Sequence, residues 1–86
     1  MTFQGAVIKE QGVNFAIVIV KKSVIDSKIE ADKAIMSFQR YFPDLPIVLM
    51  AQDHHGTPSY YGRQDISKFL ASVPLQAIPW KQYTVN

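Results

Sequence analysis

The hydrophobic positions along the chain change their spacing from one segment to the next, and each spacing predicts an element. Residues 2–10 and 13–21 are rich in β-branched and aromatic residues, which predicts two strands of a hairpin. Gln11 and Gly12 between them supply a turn, because glycine adopts positive φ without steric cost. Residues 15–20 are apolar on both alternating faces, so we expect the second strand to be central and covered on both sides.

Two segments with apolar residues at helical spacing predict helices. Ser27 and Glu30 have the spacing of a capping box, in which the serine hydroxyl accepts a hydrogen bond from the glutamate amide, so the first helix is expected to begin there. Its apolar face continues until Pro43, which does not fit a helix interior. Residues 65–73 form the second amphipathic segment, and Pro74 ends it.

Two segments in the middle of the chain predict further strands. Residues 46–51 are continuously apolar, and because they follow a strand and a long helix we expect a βαβ unit with parallel strands and a right-handed crossover. Residues 57–61 are expected to form a short strand after a hairpin turn at 53–56, with an open loop as the alternative. Pro58 has no N–H to donate, which favours an edge for this strand.

The last segment, residues 76–85, predicts a final strand that Pro79 weakens, with Trp80 and Tyr83 on opposite faces. The elements then follow in the order β-β-α-β-(β)-α-β. This order predicts one small α/β domain over residues 1–86, in which two helices pack on a mixed (α+β) sheet of four or five strands.

Composition narrows the classes of protein to which the chain can belong. Of the 86 residues, 48% are apolar, which supplies one core at a size where folding buries only about 60% of the chain's surface. The absence of cysteine excludes disulfides, thiolate metal sites and cysteine nucleophiles, and it favours the cytoplasm. The N-terminus lacks signal-peptide features, and the longest apolar run, 15–20, is too short for a membrane helix, so we expect a soluble protein without a membrane partner.

The charge distribution disfavours nucleic acid as a partner. The net charge is +2, and Lys21-Lys22 is the one run of like charge in the sequence. Domains that bind DNA usually present a stripe of several basic residues to the phosphates. Weak nucleic-acid binding through Lys9, Lys21, Lys22 and the aromatic residues is therefore the third of three functional hypotheses.

Residues 52–63 hold the candidate ligand-binding or partner-binding side chains. Asp53, His54 and His55 follow a predicted buried strand, at the end where open α/β sheets place ligands. Imidazole and carboxylate also suit a divalent metal. Adjacent residues rarely point at one ion, however, and the sequence marks no third ligand. We therefore predict no metal site. If a metal does bind, His54 and His55 are the only candidate ligands. The alternative is a polar turn.

Tyr60, Tyr61 and Arg63 form the second part of this candidate segment. On a strand the two adjacent tyrosines face opposite sides of the sheet. Arg63 precedes the second helix, where free amides and the helix dipole favour an anion such as phosphate or carboxylate. The alternative is that Asp65 caps this helix and that Arg63 pairs with Asp65 or with water.

Trp80 and Tyr83 are the candidate interface residues, because both types are common at interface hot spots and an edge strand exposes unpaired backbone groups. An unknown protein partner or a homodimer is expected. The leading functional hypothesis is a non-catalytic protein-interaction or self-association module. The second is a domain that binds a small ligand or an anion, with enzymatic activity left open. The sequence shows no catalytic arrangement and suggests no cofactor.

Overall fold

The structure, a computed structural model, describes residues 1–10 and 12–85. Within these ranges the chain forms five strands, three α-helices and one 3-10 helix. In chain order the elements are β1 (Thr2–Glu10), β2 (Val13–Ile19), α1 (Lys22–Ile25), α2 (Lys28–Gln39), β3 (Ile47–Gln52), β4 (Pro58–Tyr61), α3 (Gln64–Ala71), the 3-10 helix (Leu75–Ala77) and β5 (Lys81–Thr84). The predicted α/β fold with a mixed sheet is confirmed.

The sheet has the strand order β4-β3-β2-β1-β5. β2 and β3 are parallel, as predicted for the βαβ unit, and every other neighbouring pair is antiparallel. β2 is the middle strand, and Phe15, Ala16, Ile17 and Val18 are buried on both of its faces. The continuous apolar run had predicted this central position, because a strand with one wet face alternates between apolar and polar residues.

Helices cover the two faces of the sheet. Ile66 and Leu70 of α3 pack against the face that carries Phe15 and Ile17. On the opposite face, Ala31 of α2 is fully buried, and the small side chain lets the helix approach the sheet closely. Among residues 1–10 and 12–85, no helix has the length and apolar character needed to cross a membrane.

Two local signals, the cap of the first long helix and the turn after β1, are confirmed where the structure describes them. Ser27 Oγ accepts a hydrogen bond from the Glu30 amide at 3.3 Å and so caps the start of α2. Of the turn predicted at Gln11-Gly12, Gln11 lies outside the described residues. Gly12 has a φ of 80°, in the left-handed region that glycine adopts easily.

The segment after β2 differs from the prediction. β2 ends at Ile19 rather than at residue 21, and the single helical turn α1 follows it. Val24 and Ile25 on this turn pack against the core under α2. One turn of helix is too short to produce a periodic pattern, so the sequence did not reveal it.

The final strand is also shorter than predicted. Residues 76–85 contain the end of the 3-10 helix, and β5 begins only at Lys81. A continued strand would place Pro79 opposite Val7, where its missing N–H removes a hydrogen bond to β1. The Trp80 amide donates to the Ile78 carbonyl at 2.8 Å, a local bond that extended backbone does not make. Strand pairing therefore starts after Trp80.

Candidate functional site

The hairpin between β3 and β4 is ordered by Asp53. The Asp53 carboxylate accepts hydrogen bonds from the backbone amides of His55 at 2.8 Å and Thr57 at 3.0 Å. The Asp53 amide in turn donates to the Thr57 carbonyl at 3.0 Å. The predicted hairpin is thus confirmed, and Asp53 holds its turn in an Asx geometry.

His54 and His55 lie together on the exposed tip of this hairpin. Their ring centroids are 3.9 Å apart, and the rings are tilted by 44°. In the described part of the chain, no three histidine, aspartate or glutamate side chains are grouped as a metal site requires. The two imidazoles therefore form an exposed pair that lacks a third ligand within those residues.

Tyr60 and Tyr61 face opposite sides of the sheet, as the strand pattern predicted. The Tyr61 hydroxyl donates to Asp32 on α2 at 2.9 Å, and Lys28 Nζ lies 3.1 Å from the other carboxylate oxygen of Asp32. These two hydrogen bonds, that from Tyr61 above all, lower the pKa of Asp32, and the same contact raises the pKa of Tyr61. Tyr61 thus fastens β4 to α2, whereas Tyr60 packs beside α3.

Arg63 forms two hydrogen bonds with Asp65 in the helix that it precedes. Its Nε and Nη2 atoms donate to the two carboxylate oxygens of Asp65 at 3.1 and 2.7 Å, which lowers the pKa of Asp65. The pair is the one that the alternative expected, but the expected cap is wrong: Asp65 lies in the first turn of α3, and Arg63 occupies the N-cap position. An anion site here needs the positive charge of Arg63, and the negative charge of Asp65 offsets it.

The candidate residues of segment 52–63 do not converge on one site. His54 and His55 precede β4, and Arg63 follows it. The four residues of β4 separate these two ends by about 13 Å, at about 3.3 Å per residue. Tyr60 and Tyr61 between them point to opposite faces, so the segment does not form a single pocket.

Trp80 and Tyr83 are half-buried on opposite faces, as predicted. Trp80 Nε1 donates to the Leu75 carbonyl at 3.1 Å, and its ring packs against the core under α3. The Tyr83 ring is stacked on Phe3 with centroids 5.1 Å apart and planes 12° apart. Both aromatic rings therefore use much of their surface inside the domain, and the strand that follows Trp80 leaves its outer backbone edge open.

An unpaired stretch of backbone lies where β1 extends beyond β5. β5 pairs only with the first part of β1, from Thr2 opposite Thr84 to Gly5 opposite Lys81, whereas β1 continues to Glu10. This stretch was not predicted, because the sequence does not show how far two strands overlap.

The backbone of Val7 and Lys9 points into this open space. Val7 is opposite Ala16 in β2, and the Ala16 amide donates to the Pro46 carbonyl on the far side of β2. In an antiparallel ladder the two residues then form a non-hydrogen-bonded pair, so the N–H and C=O of Val7 point away from β2. Lys9 repeats this orientation two residues later. No backbone hydrogen bond found within residues 1–10 and 12–85 uses these groups on that side.

An apolar groove runs beside these unpaired groups. Its volume is about 310 Å³, and Val7 at its rim is 38% exposed. We call residues 7–9 together with this groove the β1 notch. Ile8 lines the groove from the sheet, and the opposite wall is apolar and comes from α3 and the segment after it: Phe69, Val73, Ala77, Ile78 and Pro79.

The other edge of the sheet is less suited to pairing. The bond from the Asp53 amide to the Thr57 carbonyl shows that residues 57, 59 and 61 point their backbone groups toward β3. Pro58 and Tyr60 therefore point outward, and Pro58 has no N–H to offer. The β1 notch, with two outward amides in succession and an apolar groove, is the stronger candidate surface.

Comparison of the chain with protein-family models, with curated proteins and with solved structures finds no match.

Proposed function

We propose that this domain is a non-catalytic interaction module that binds an extended segment of a partner protein by strand addition at the β1 notch. The observation that carries the proposal is the outward N–H and C=O of Val7 and Lys9 beside an apolar groove. In strand addition, backbone hydrogen bonds provide affinity and pockets for alternate side chains provide specificity. We place the domain in the cytoplasm, because it lacks the disulfides that small secreted domains commonly use.

The groove defines which partner side chains fit. A partner residue directly opposite Ile8 shares its face of the sheet, and that face looks into the groove. This residue is therefore apolar, and every second residue of the partner points the same way.

Two lysines define the charge of the partner segment. Lys9 lies at one end of the β1 notch, and Lys81 pairs with Gly5 at the other end. Both are exposed, and neither ammonium group lies within 4.0 Å of a carboxylate among the side chains that the structure describes, which do not include that of Glu10. Acidic residues that flank the apolar positions of the partner complement this charge.

The test is selection of peptides from a phage-displayed random library on the immobilised domain. Ala77→Phe fills the groove from an exposed position, and Gln76→Phe places the same side chain on the same 3-10 helix outside the groove. We expect wild type and Gln76→Phe to enrich sequences with alternating apolar residues and flanking acids, and Ala77→Phe to lose them. Enrichment that is equal on all three folded proteins, or absent from wild type, contradicts the proposal.

Self-association through β5 is a second candidate function, and its own observation favours it. Mutual hydrogen bonds between Met1 and Val85 at 2.8 Å show that Val85, and with it Tyr83, points its backbone toward β1. Gln82 and Thr84 therefore point outward. Two copies related by a two-fold axis can pair Gln82 with Thr84 in both directions, which makes this edge self-complementary.

Native mass spectrometry tests the self-association. Thr84→Pro removes an outward N–H without removing a bond to β1, and Thr84→Ala is its control because it keeps that donor. A dimer that persists in Thr84→Ala and disappears in Thr84→Pro supports the pairing. A monomeric wild-type protein contradicts it and leaves the β1 notch as the interaction surface.

A further inference from the structure

A second cavity lies at the opposite edge of the sheet, between α3 and β4. Its volume is about 380 Å³, and it is lined by Tyr60 from β4 and by one flank of α3. The helix residues recur at i, i+3, i+4 and i+7, so they share one face: Gln64, Ser67, Lys68 and Ala71. This cavity is separate from the β1 notch, because β4 and β1 are separated in the sheet by β3 and β2.

Two hydroxyl groups at this cavity are buried without a partner. Tyr60 Oη and Ser67 Oγ have no hydrogen-bond partner among the residues that the structure describes. Buried polar groups in native proteins are usually satisfied, so unsatisfied ones indicate a partner that the protein itself does not supply. Burial also raises the pKa of Tyr60, which keeps its hydroxyl protonated and able to donate. Other atoms of the two side chains are partly exposed, but the two hydroxyl oxygens are closed to solvent, so a ligand in the cavity reaches them only when the side chains shift slightly.

The other polar groups around the cavity are also donors. Lys68 is exposed, and no carboxylate of the described residues lies within 4.0 Å of its ammonium group. Gln64 adds a side-chain amide. The nearest acid along the helix, Asp65, is held by Arg63. A cavity with two free hydroxyls, an ammonium group and no acid among its lining residues is complementary to a group rich in acceptors.

We propose that this cavity binds a small oxyanion, a carboxylate or a phosphate group. The hydroxyls of Tyr60 and Ser67 donate to its oxygens, and Lys68 balances its charge. The anion satisfies both buried donors at once, which neutral apolar ligands do not. The site does not use Arg63 or the histidines of the hairpin.

The first test is an NMR titration of the free protein with sodium phosphate and with sodium acetate, each compared with sodium chloride at equal ionic strength. We expect the amides of Tyr60, Ser67 and Lys68 to shift and to saturate with at least one of the two oxyanions and not with chloride. Saturation by phosphate alone or by acetate alone identifies the anion class. Shifts that match those in chloride, or that are absent, overturn the proposal.

The second test uses variants with matched controls. Tyr60→Phe and Ser67→Ala remove one donor each, and we expect each to weaken the anion about tenfold. Ser72→Ala is the control, because its hydroxyl is exposed and donates to the Phe69 carbonyl at 2.8 Å. Lys68→Gln should also weaken binding, whereas Lys33→Gln on α2 should not. Unchanged affinity in both Tyr60→Phe and Ser67→Ala shows that only water occupies the cavity and overturns the proposal.

Discussion

Removal of one hydroxyl from each of two adjacent tyrosines is expected to change stability in opposite directions. Tyr60→Phe and Tyr61→Phe are the same chemical change, one residue apart on β4. The Tyr60 hydroxyl is buried without a partner in the described residues, whereas the Tyr61 hydroxyl donates to Asp32 at 2.9 Å. The two substitutions therefore separate the cost of an unsatisfied hydroxyl from the gain of a satisfied one.

The structure sets the size of the first effect. A buried polar group without a partner costs about 1–3 kcal/mol, and a partly exposed side chain lies at the low end of this range, so Tyr60→Phe should stabilise the domain by about 1 kcal/mol. For a domain of this size, that change raises Tm by about 4–8 °C. Tyr61→Phe leaves Asp32 with Lys28 as its partner and should lower Tm, by less because the contact is exposed.

The assay is thermal and urea unfolding, followed by circular dichroism, of wild type and of both variants. The buffer contains chloride as its only small anion, because a bound oxyanion satisfies the Tyr60 hydroxyl and hides the effect. A Tyr60→Phe variant that is less stable than wild type refutes the reasoning, since it shows that the hydroxyl has a favourable partner in the free protein. A Tyr61→Phe variant with unchanged Tm shows that the bond to Asp32 contributes nothing.

Three further predictions concern the fold. Asp65 has a lowered pKa in the folded protein, so its contribution to stability is present above about pH 4, its pKa in the unfolded chain, and is lost as the pH falls through the folded pKa. When the free energy of unfolding in urea is measured at a series of pH values, Asp65→Asn should therefore reduce the loss of stability at acid pH. Gly5→Ala places its Cβ 2.6 Å from a backbone carbonyl of β2, so we expect a large drop in Tm on heating. Leu70→Ala empties a fully buried position and should cost about 2–5 kcal/mol in urea unfolding. Met36→Ala, at a position 76% exposed, is its control and should change the free energy of unfolding by less than about 0.5 kcal/mol.

Local sequence signals predicted the elements whose causes are local. The apolar run at 15–20 predicted a central strand because only a strand covered on both faces tolerates it. Ser27 and Glu30 predicted the start of α2 because the capping bond joins neighbours in sequence. The short helix α1 and the late start of β5 were missed, since a single turn has no periodic pattern and the sequence does not show at which residue strand pairing begins.

The candidate surfaces depend on pairing between distant parts of the chain, which the sequence pattern does not show. The β1 notch exists because β5 pairs with the first part of β1 and stops, so that Val7 is left uncovered. Similarly, the strand pattern does not show which of the two tyrosine hydroxyls has a hydrogen-bond partner. Tyr61 donates to Asp32, and Tyr60 has no partner in the described part of the chain. Closeness in sequence also misled: His54 and Arg63 belong to one segment, but an extended strand holds them apart.

The central claim is strand addition at the β1 notch, and amide hydrogen exchange at Val7 and Lys9 tests it most directly. These two amides should exchange fast in the free protein and become protected when a selected peptide binds. The amides of Ala6 and Ile8 face β2 in the ladder, so they should be protected already and change little. Protection of Val7 and Lys9 in the free protein contradicts the open edge. Continued fast exchange of both amides with the peptide bound contradicts strand addition.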